Sequence, residues 1–115
     1  MEIEAPLRVF RVTVRGRFAD LTPAARRYLV DAQAEHDILR SGFTEEGTLT
    51  YDARIDFFNV RYEIRARGVD AETAAIEHAT RATELLLRTL RIGFGDLRAQ
   101  LMDMSAMTER RTRRS

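Results

Sequence analysis

The sequence predicts an α+β domain in which two helices cover one face of a four-stranded antiparallel sheet. Three observations carry this prediction. Two stretches, one near the start and one in the middle, alternate apolar and polar residues with the period of a strand. Two others repeat apolar residues at helical spacing. The middle alternating stretch is also long enough to fold back on itself as a hairpin.

Leu7 to Phe18 opens the pattern. Phe10, Val12, Val14, Gly16 and Phe18 fall on one side and Arg11, Thr13, Arg15 and Arg17 on the other, as a half-buried strand requires. Leu21-Thr22-Pro23 then starts a helix, with Thr22 as N-cap, Pro23 at the first helical position and Leu21 placed to staple. Ala25, Tyr28, Leu29, Ala32 and His36 share its inner face, and Arg26, Arg27, Asp31 and Glu35 take the others. The helix is expected to fray near Asp37, with Ser41-Gly42 breaking any continuation.

Leu49 to Arg67 reads as the hairpin. A two-residue loop at Phe58-Asn59 places Phe57 opposite Val60, Ile55 opposite Tyr62, Ala53 opposite Ile64 and Tyr51 opposite Ala66. On the water side that register sets Asp56 against Arg61, Arg54 against Glu63 and Asp52 against Arg65. Tyr51 and Tyr62 are expected to be buried, with their hydroxyls at the core boundary.

Asp70 is the predicted cap of a second helix, with Glu72 and Thr73 in its first turn and Arg88 and Arg91 near its end. Ala75, Ala79, Ala82, Leu86 and Leu90 form its inner face, widened by Ile76, Thr83 and Leu87. Gly93-Phe94-Gly95 is the expected stop. Leu97, Ala99 and Leu101 alternate with Arg98, Gln100 and Met102 as a short last strand. The order β-α-β-β-α-β implies a ferredoxin-like βαββαβ sandwich, strand order 4-1-3-2. Residues 1–107 are expected to form a single domain and 108–115 a disordered Arg-rich tail. The alternative is another α+β sandwich whose last strand is missing or swapped.

Composition bounds the chemistry. The 115 residues include no cysteine, which excludes disulfides, thiolate nucleophiles and Cys-based metal sites. All nineteen basic residues are Arg, the signature of a GC-rich bacterial genome, so no lysine Schiff base or phosphate-loop lysine is available. No apolar run approaches the roughly 18 residues of a membrane span, and no secretory signal follows the acidic start. A cytoplasmic protein is expected, without membrane contact and without cofactor or metal. Residues 109–115 carry four Arg against one Glu, while the preceding body holds fifteen Arg against seventeen acids. The basic balance therefore belongs to the tail.

Several strings carry a resemblance: Phe10-Arg11-Val12-Thr13-Val14-Arg15-Gly16, Glu35-His36-Asp37, Gly47-Thr48-Leu49-Thr50-Tyr51-Asp52, Gly93-Phe94-Gly95-Asp96-Leu97-Arg98 and Asp103-Met104-Ser105. Over about residues 8–107 the chain resembles an uncharacterised family of short actinobacterial proteins. That family has no assigned function, so the resemblance implies no catalytic or binding residue.

The candidate functional residues come from charge. On the open face of the sheet the first strand offers Arg11, Arg15 and Arg17, and the third offers Arg61, Arg65 and Arg67. These six are the candidate binding residues for an acidic partner or polyanion. The competing reading is a solvated face whose Arg stems cover the sheet. Phe10, Phe18, Tyr51, Phe57 and Tyr62 are all assigned to the core, which leaves no ring on that face to stack a base. Any nucleic-acid binding is therefore expected to be weak and carried by the tail. His36, between Glu35 and Asp37, is the one catalytic candidate, in a cleft with Tyr28 and Phe43. The reading preferred over it is a histidine that satisfies the terminal helix carbonyls. His78 has no partner spaced to make a metal site. The preferred reading is a non-enzymatic interaction module, a homodimer being the simplest assembly. The alternative is a small-molecule enzyme or ligand carrier using His36.

Overall fold

The computed structural model describes residues 5–36 and 42–105. The expected fraying at Asp37 and the tail 108–115 lie outside them. In chain order the elements are β1 (Arg8–Arg17), α1 (Pro23–Asp31), a 3₁₀ turn (Gln33–His36), β2 (Thr48–Tyr51), β3 (Phe57–Ala66), α2 (Ala71–Thr89) and β4 (Arg98–Asp103). The four strands form one antiparallel sheet in the order β2-β3-β1-β4.

The alternation in β1 emerges as expected, with Phe10, Val12, Val14 and Gly16 buried and Arg11, Arg15 and Arg17 exposed. Thr22 caps α1, its hydroxyl accepting the Ala25 amide at 3.0 Å with Pro23 at the helix start. The helix is shorter than expected, ending at Asp31 and burying only Ala25 and Leu29. Tyr28, expected inside, is exposed. His36 stands in the 3₁₀ turn rather than on the helix face.

The hairpin exists, but its register departs from the prediction. Leu49 pairs with Val60 and Tyr51 with Phe58, so Asp52 to Asp56 form the turn and Phe58-Asn59 lie inside β3. Asp56–Arg61, Arg54–Glu63 and Asp52–Arg65 are therefore not cross-strand neighbours. The turn is built by Asp52, whose carboxylate accepts the amides of Asp56 at 2.9 Å and Phe57 at 3.1 Å. Ile55 takes a positive φ of 59° yet stays buried. Phe57 and Phe58 exchange places between the two registers: the predicted loop buries Phe57 and leaves Phe58 at its tip, whereas here Phe57 is exposed. Each register buries one Phe, so what distinguishes them is the Asp52 turn, whose two amide bonds stand in place of three exposed ion pairs worth about 0–1 kcal/mol each. Here Phe58 is buried against Phe18, ring centroids 5.0 Å apart, and fills the notch left by Gly16. Beyond the start of β2 the edge of β3 is met by Thr44, whose carbonyl accepts the Glu63 amide at 2.8 Å.

Tyr51 and Tyr62 are buried, as expected. The Tyr51 hydroxyl donates to the Leu29 carbonyl, and the Tyr62 hydroxyl meets Thr83 Oγ1 at 2.9 Å. On α2 the fully buried row is Ala71, Ala75, Ala79, Thr83 and Leu87, rotated from the predicted stripe. Ala82, Leu86 and Leu90 are only partly buried. Asp70 occupies the N-cap but makes no side-chain cap bond. The stop also differs from expectation. Arg91 takes a positive φ of 57°, and the Ile92 amide reaches back to Leu87 O at 2.8 Å, closing the helix before Gly93. Gly93 instead lets two backbones meet: a Cβ there would lie 2.0 Å from the Ala19 carbonyl oxygen. Among the described residues no helix is long and apolar enough to cross a membrane.

Candidate anion-binding face

The inner sheet face belongs to the core, so β1, β3 and β4 offer their other residues outward. From β1 these are Arg11, Thr13, Arg15 and Arg17, and opposite them on β3 stand Glu63, Arg61, Asn59 and Phe57. From β4, Met102, Gln100 and Arg98 stand opposite Arg11, Thr13 and Arg15.

The six candidate arginines do not form one patch. Arg67 donates to the Ala5 carbonyl at 3.0 Å, and Arg65 lies 3.8 Å from Glu63. Arg11 and Arg61 share the ring of Phe43, their guanidinium carbons 5.0 and 5.7 Å from its centroid. Arg15 and Arg17 sit roughly 13–20 Å further along the strand from Arg11, at about 3.3 Å per residue. Arg15 Nε donates to Asn59 Oδ1 at 3.1 Å, and the Arg17 guanidinium lies 4.9 Å from the centroid of Phe57.

Sequence reasoning left three members of this second group out of the candidate set. Phe57, expected in the core, is 55% exposed on the open face. Its parity was legible: Val60, Tyr62 and Ile64 point inward, so Phe58 does too and Phe57 points out. Only the misplaced turn reversed it. The second is Asn59, which the same turn removed from the strand. The third is Arg98, which the β1–β4 register sets directly opposite Arg15. Arg15, Arg17 and Arg98 are exposed, and among the described residues none forms an ion pair with a carboxylate. Arg15, Arg17, Phe57, Asn59, Asp96 and Arg98 line a cleft of about 590 Å³. The open face thus carries aromatic rings, Phe43 and Phe57, each against a guanidinium. The expectation that it carries none is corrected.

His36 is placed differently from the expected cleft. Its Nδ1 meets the Leu49 carbonyl at 3.0 Å and its ring packs 5.3 Å from Tyr51. Its Nε2 is buried without a partner. Phe43 faces Arg11 and Arg61 instead, and among the described residues no ring contact or hydrogen bond joins it to His36. His36 thus ties the 3₁₀ turn to β2. His78 is exposed on α2, and among the described residues no three His, Asp or Glu side chains are grouped to hold a metal.

No curated protein and no solved structure gives a significant match to the chain. The resemblance to an uncharacterised family is borne out: the sequence model of a family of unknown function, DUF6204, matches residues 1–115, and the chain belongs to that family.

Proposed function

We propose that the protein is a non-enzymatic binding module that takes an anionic partner on the open face of its sheet. One observation carries this reading. Arg15, Arg17 and Arg98 converge on a cleft with no carboxylate paired to any of them. Like charges directly opposite across a ladder destabilise it, and Arg15 and Arg98 are such a pair. A bound anion converts that repulsion into two charge-assisted contacts. The strand order, read from the β4 edge as β4-β1-β3-β2, supports the ferredoxin-like assignment. A chain without cysteine suits a reducing compartment, in keeping with a cytoplasmic protein. Self-association through this face would bring guanidinium against guanidinium, so a homodimer would use another surface.

The test separates the face from the tail. Anisotropy of a labelled single-stranded RNA is measured on the full chain, on a chain with Arg110, Arg111, Arg113 and Arg114 changed to Gln, and on Arg15→Ala/Arg98→Ala. The expected outcome is salt-sensitive binding that survives the tail changes and falls at least tenfold with the face changes. Binding lost with the tail alone would return the activity to residues 109–115 and overturn the proposal.

A further inference from the structure

The cleft at the Arg15 end of the face is more than a cationic surface, because its groups differ in kind and two of them, Arg15 and Phe57, are held in position. Arg15 is held by its bond to Asn59. That bond uses Nε and leaves the two terminal nitrogens of the guanidinium for a ligand. Arg98 stands beside it across the β1–β4 ladder. Two guanidiniums at neighbouring cross-strand positions match the several oxygens of one phosphate dianion.

Next to this pair lies a flat apolar element. Phe57 is half exposed and carries the Arg17 guanidinium against its ring. Its placement is over-determined. Asp52 takes the Phe57 amide, Asp56 O accepts the Phe18 amide at 2.9 Å, and Ile55 holds a positive φ that a β-branched residue rarely adopts. A strained turn kept at the base of an exposed ring points to a use for that ring. Asp96 supplies a carboxylate acceptor on the same cleft. The volume falls in the range of about 300–1,000 Å³ common for small-molecule sites.

We infer that this cleft binds one nucleotide unit, its phosphate between Arg15 and Arg98 and its base stacked on the Phe57–Arg17 pair, with Asp96 accepting from a ribose hydroxyl. Base stacking on an aromatic ring tolerates any base, so the site reads phosphate and planarity rather than base identity. The inference rests on the anion-binding reading above. The shared chemistry is a phosphate ester beside a planar ring, and the source is either a free mononucleotide or the end of a single strand. Phosphotyrosine has a phosphate and a ring but no ribose hydroxyl to offer Asp96.

The test is a two-dimensional amide NMR titration of the full chain with 5′-AMP, inorganic phosphate, phosphotyrosine, and an octameric RNA with and without its 5′ phosphate. The expected result is that 5′-AMP shifts the amides of residues 15–17, 57–59 and 96–98. Arg15→Ala and Arg98→Gln, both at exposed positions, weaken it at least tenfold. Phe57→Ala weakens 5′-AMP and leaves inorganic phosphate unchanged, and Arg81→Ala on the far side of α2 changes nothing. If the 5′-phosphorylated octamer alone binds there, the source is a strand end; if 5′-AMP binds as well as the octamer, it is the free nucleotide. Phosphotyrosine binding equal to 5′-AMP overturns nucleotide recognition. RNA or phosphate binding that falls with Arg15→Ala and Arg98→Gln but not with Phe57→Ala overturns the nucleotide cleft and leaves the anion-binding reading standing. Absence of both overturns the two together.

Discussion

Replacing Asp52 by Ala tests whether the turn sets the register. The side chain accepts two backbone amides, from Asp56 at 2.9 Å and Phe57 at 3.1 Å, and Asp52 is exposed to water. A hydrogen bond to a charged group contributes about 1.5–3 kcal/mol when sheltered. Exposure lowers each, so the pair is worth about 2 kcal/mol in sum, or about 8 °C in Tm at this chain length. Burial pushes the Asp52 carboxyl up, but the backbone amides of Phe57, Asp56, Asp52 itself and Arg54 together hold it below the ordinary carboxylate range. A depressed folded pKa stabilises above the unfolded value of about 3.9 and loses that contribution as pH falls through the folded value. Urea denaturation of wild type, Asp52→Ala and Asp52→Asn at pH 7 and at pH 2.5 reads both effects. Asp52→Asn keeps an acceptor oxygen without the charge, so it should fall between the other two at pH 7. The gap between wild type and Asp52→Asn should shrink at pH 2.5. A loss under about 0.5 kcal/mol in Asp52→Ala, or a gap as wide in acid as at neutrality, would refute this account of the turn.

Two further outcomes rest on buried geometry. Desolvation, with smaller contributions from Tyr28 and Glu35, pushes the Tyr51 phenol up to about 12. A raised folded pKa gives stability that is full below the unfolded value of about 10 and is lost as pH climbs toward the folded one. Tyr51→Phe loses the bond to the Leu29 carbonyl and should cost about 1 kcal/mol at pH 7. Above about pH 10 the wild type should then lose stability faster than the variant in thermal melts, and parallel curves would sink the argument. Gly93→Ala drives a methyl onto the Ala19 carbonyl where Ala19 N already donates to Gly93 O at 3.0 Å. Backbone faces backbone there, so a loss of at least about 2 kcal/mol in urea is expected; a midpoint unchanged from wild type would show that the contact yields freely.

The legible part of the fold was local. Alternation placed β1 and the inward residues of β3, and capping chemistry placed the start of α1. These signals operate within a few residues, so distant parts of the chain do not change them. The hairpin register failed because charge complementarity is a conspicuous pattern, whereas the turn is set by the two amides bonded to Asp52 and by Phe58 filling the notch at Gly16, which no spacing of charges displays. The helix stops erred for a similar reason. Glycine marks a left-handed cap statistically, yet Arg91 adopts that conformation here and Gly93 is spent on a close backbone approach. The rotation of the buried row on α2 depends on how closely Ala71, Ala75 and Ala79 let the helix approach the sheet. That is a tertiary property with no local signature.

The candidate site was half legible for a related physical reason. Which side of β1 its arginines occupy is fixed by parity, so Arg11, Arg15 and Arg17 were placed correctly on the open face. Parity does not say which of them act together, because grouping depends on the registers with β3 and β4. Those registers put Asn59 beside Arg15, Arg98 opposite it, and Phe57 across from Arg17. They equally put Glu63 across from Arg11, and Glu63 lies 3.8 Å from Arg65. The two ends of one strand thereby acquire different chemistry: a carboxylate stands among the arginines near Arg11, while those near Arg15 have none paired to them. The same register error that moved Phe57 into the core removed from that face the ring that stands across from Arg17 and meets its guanidinium.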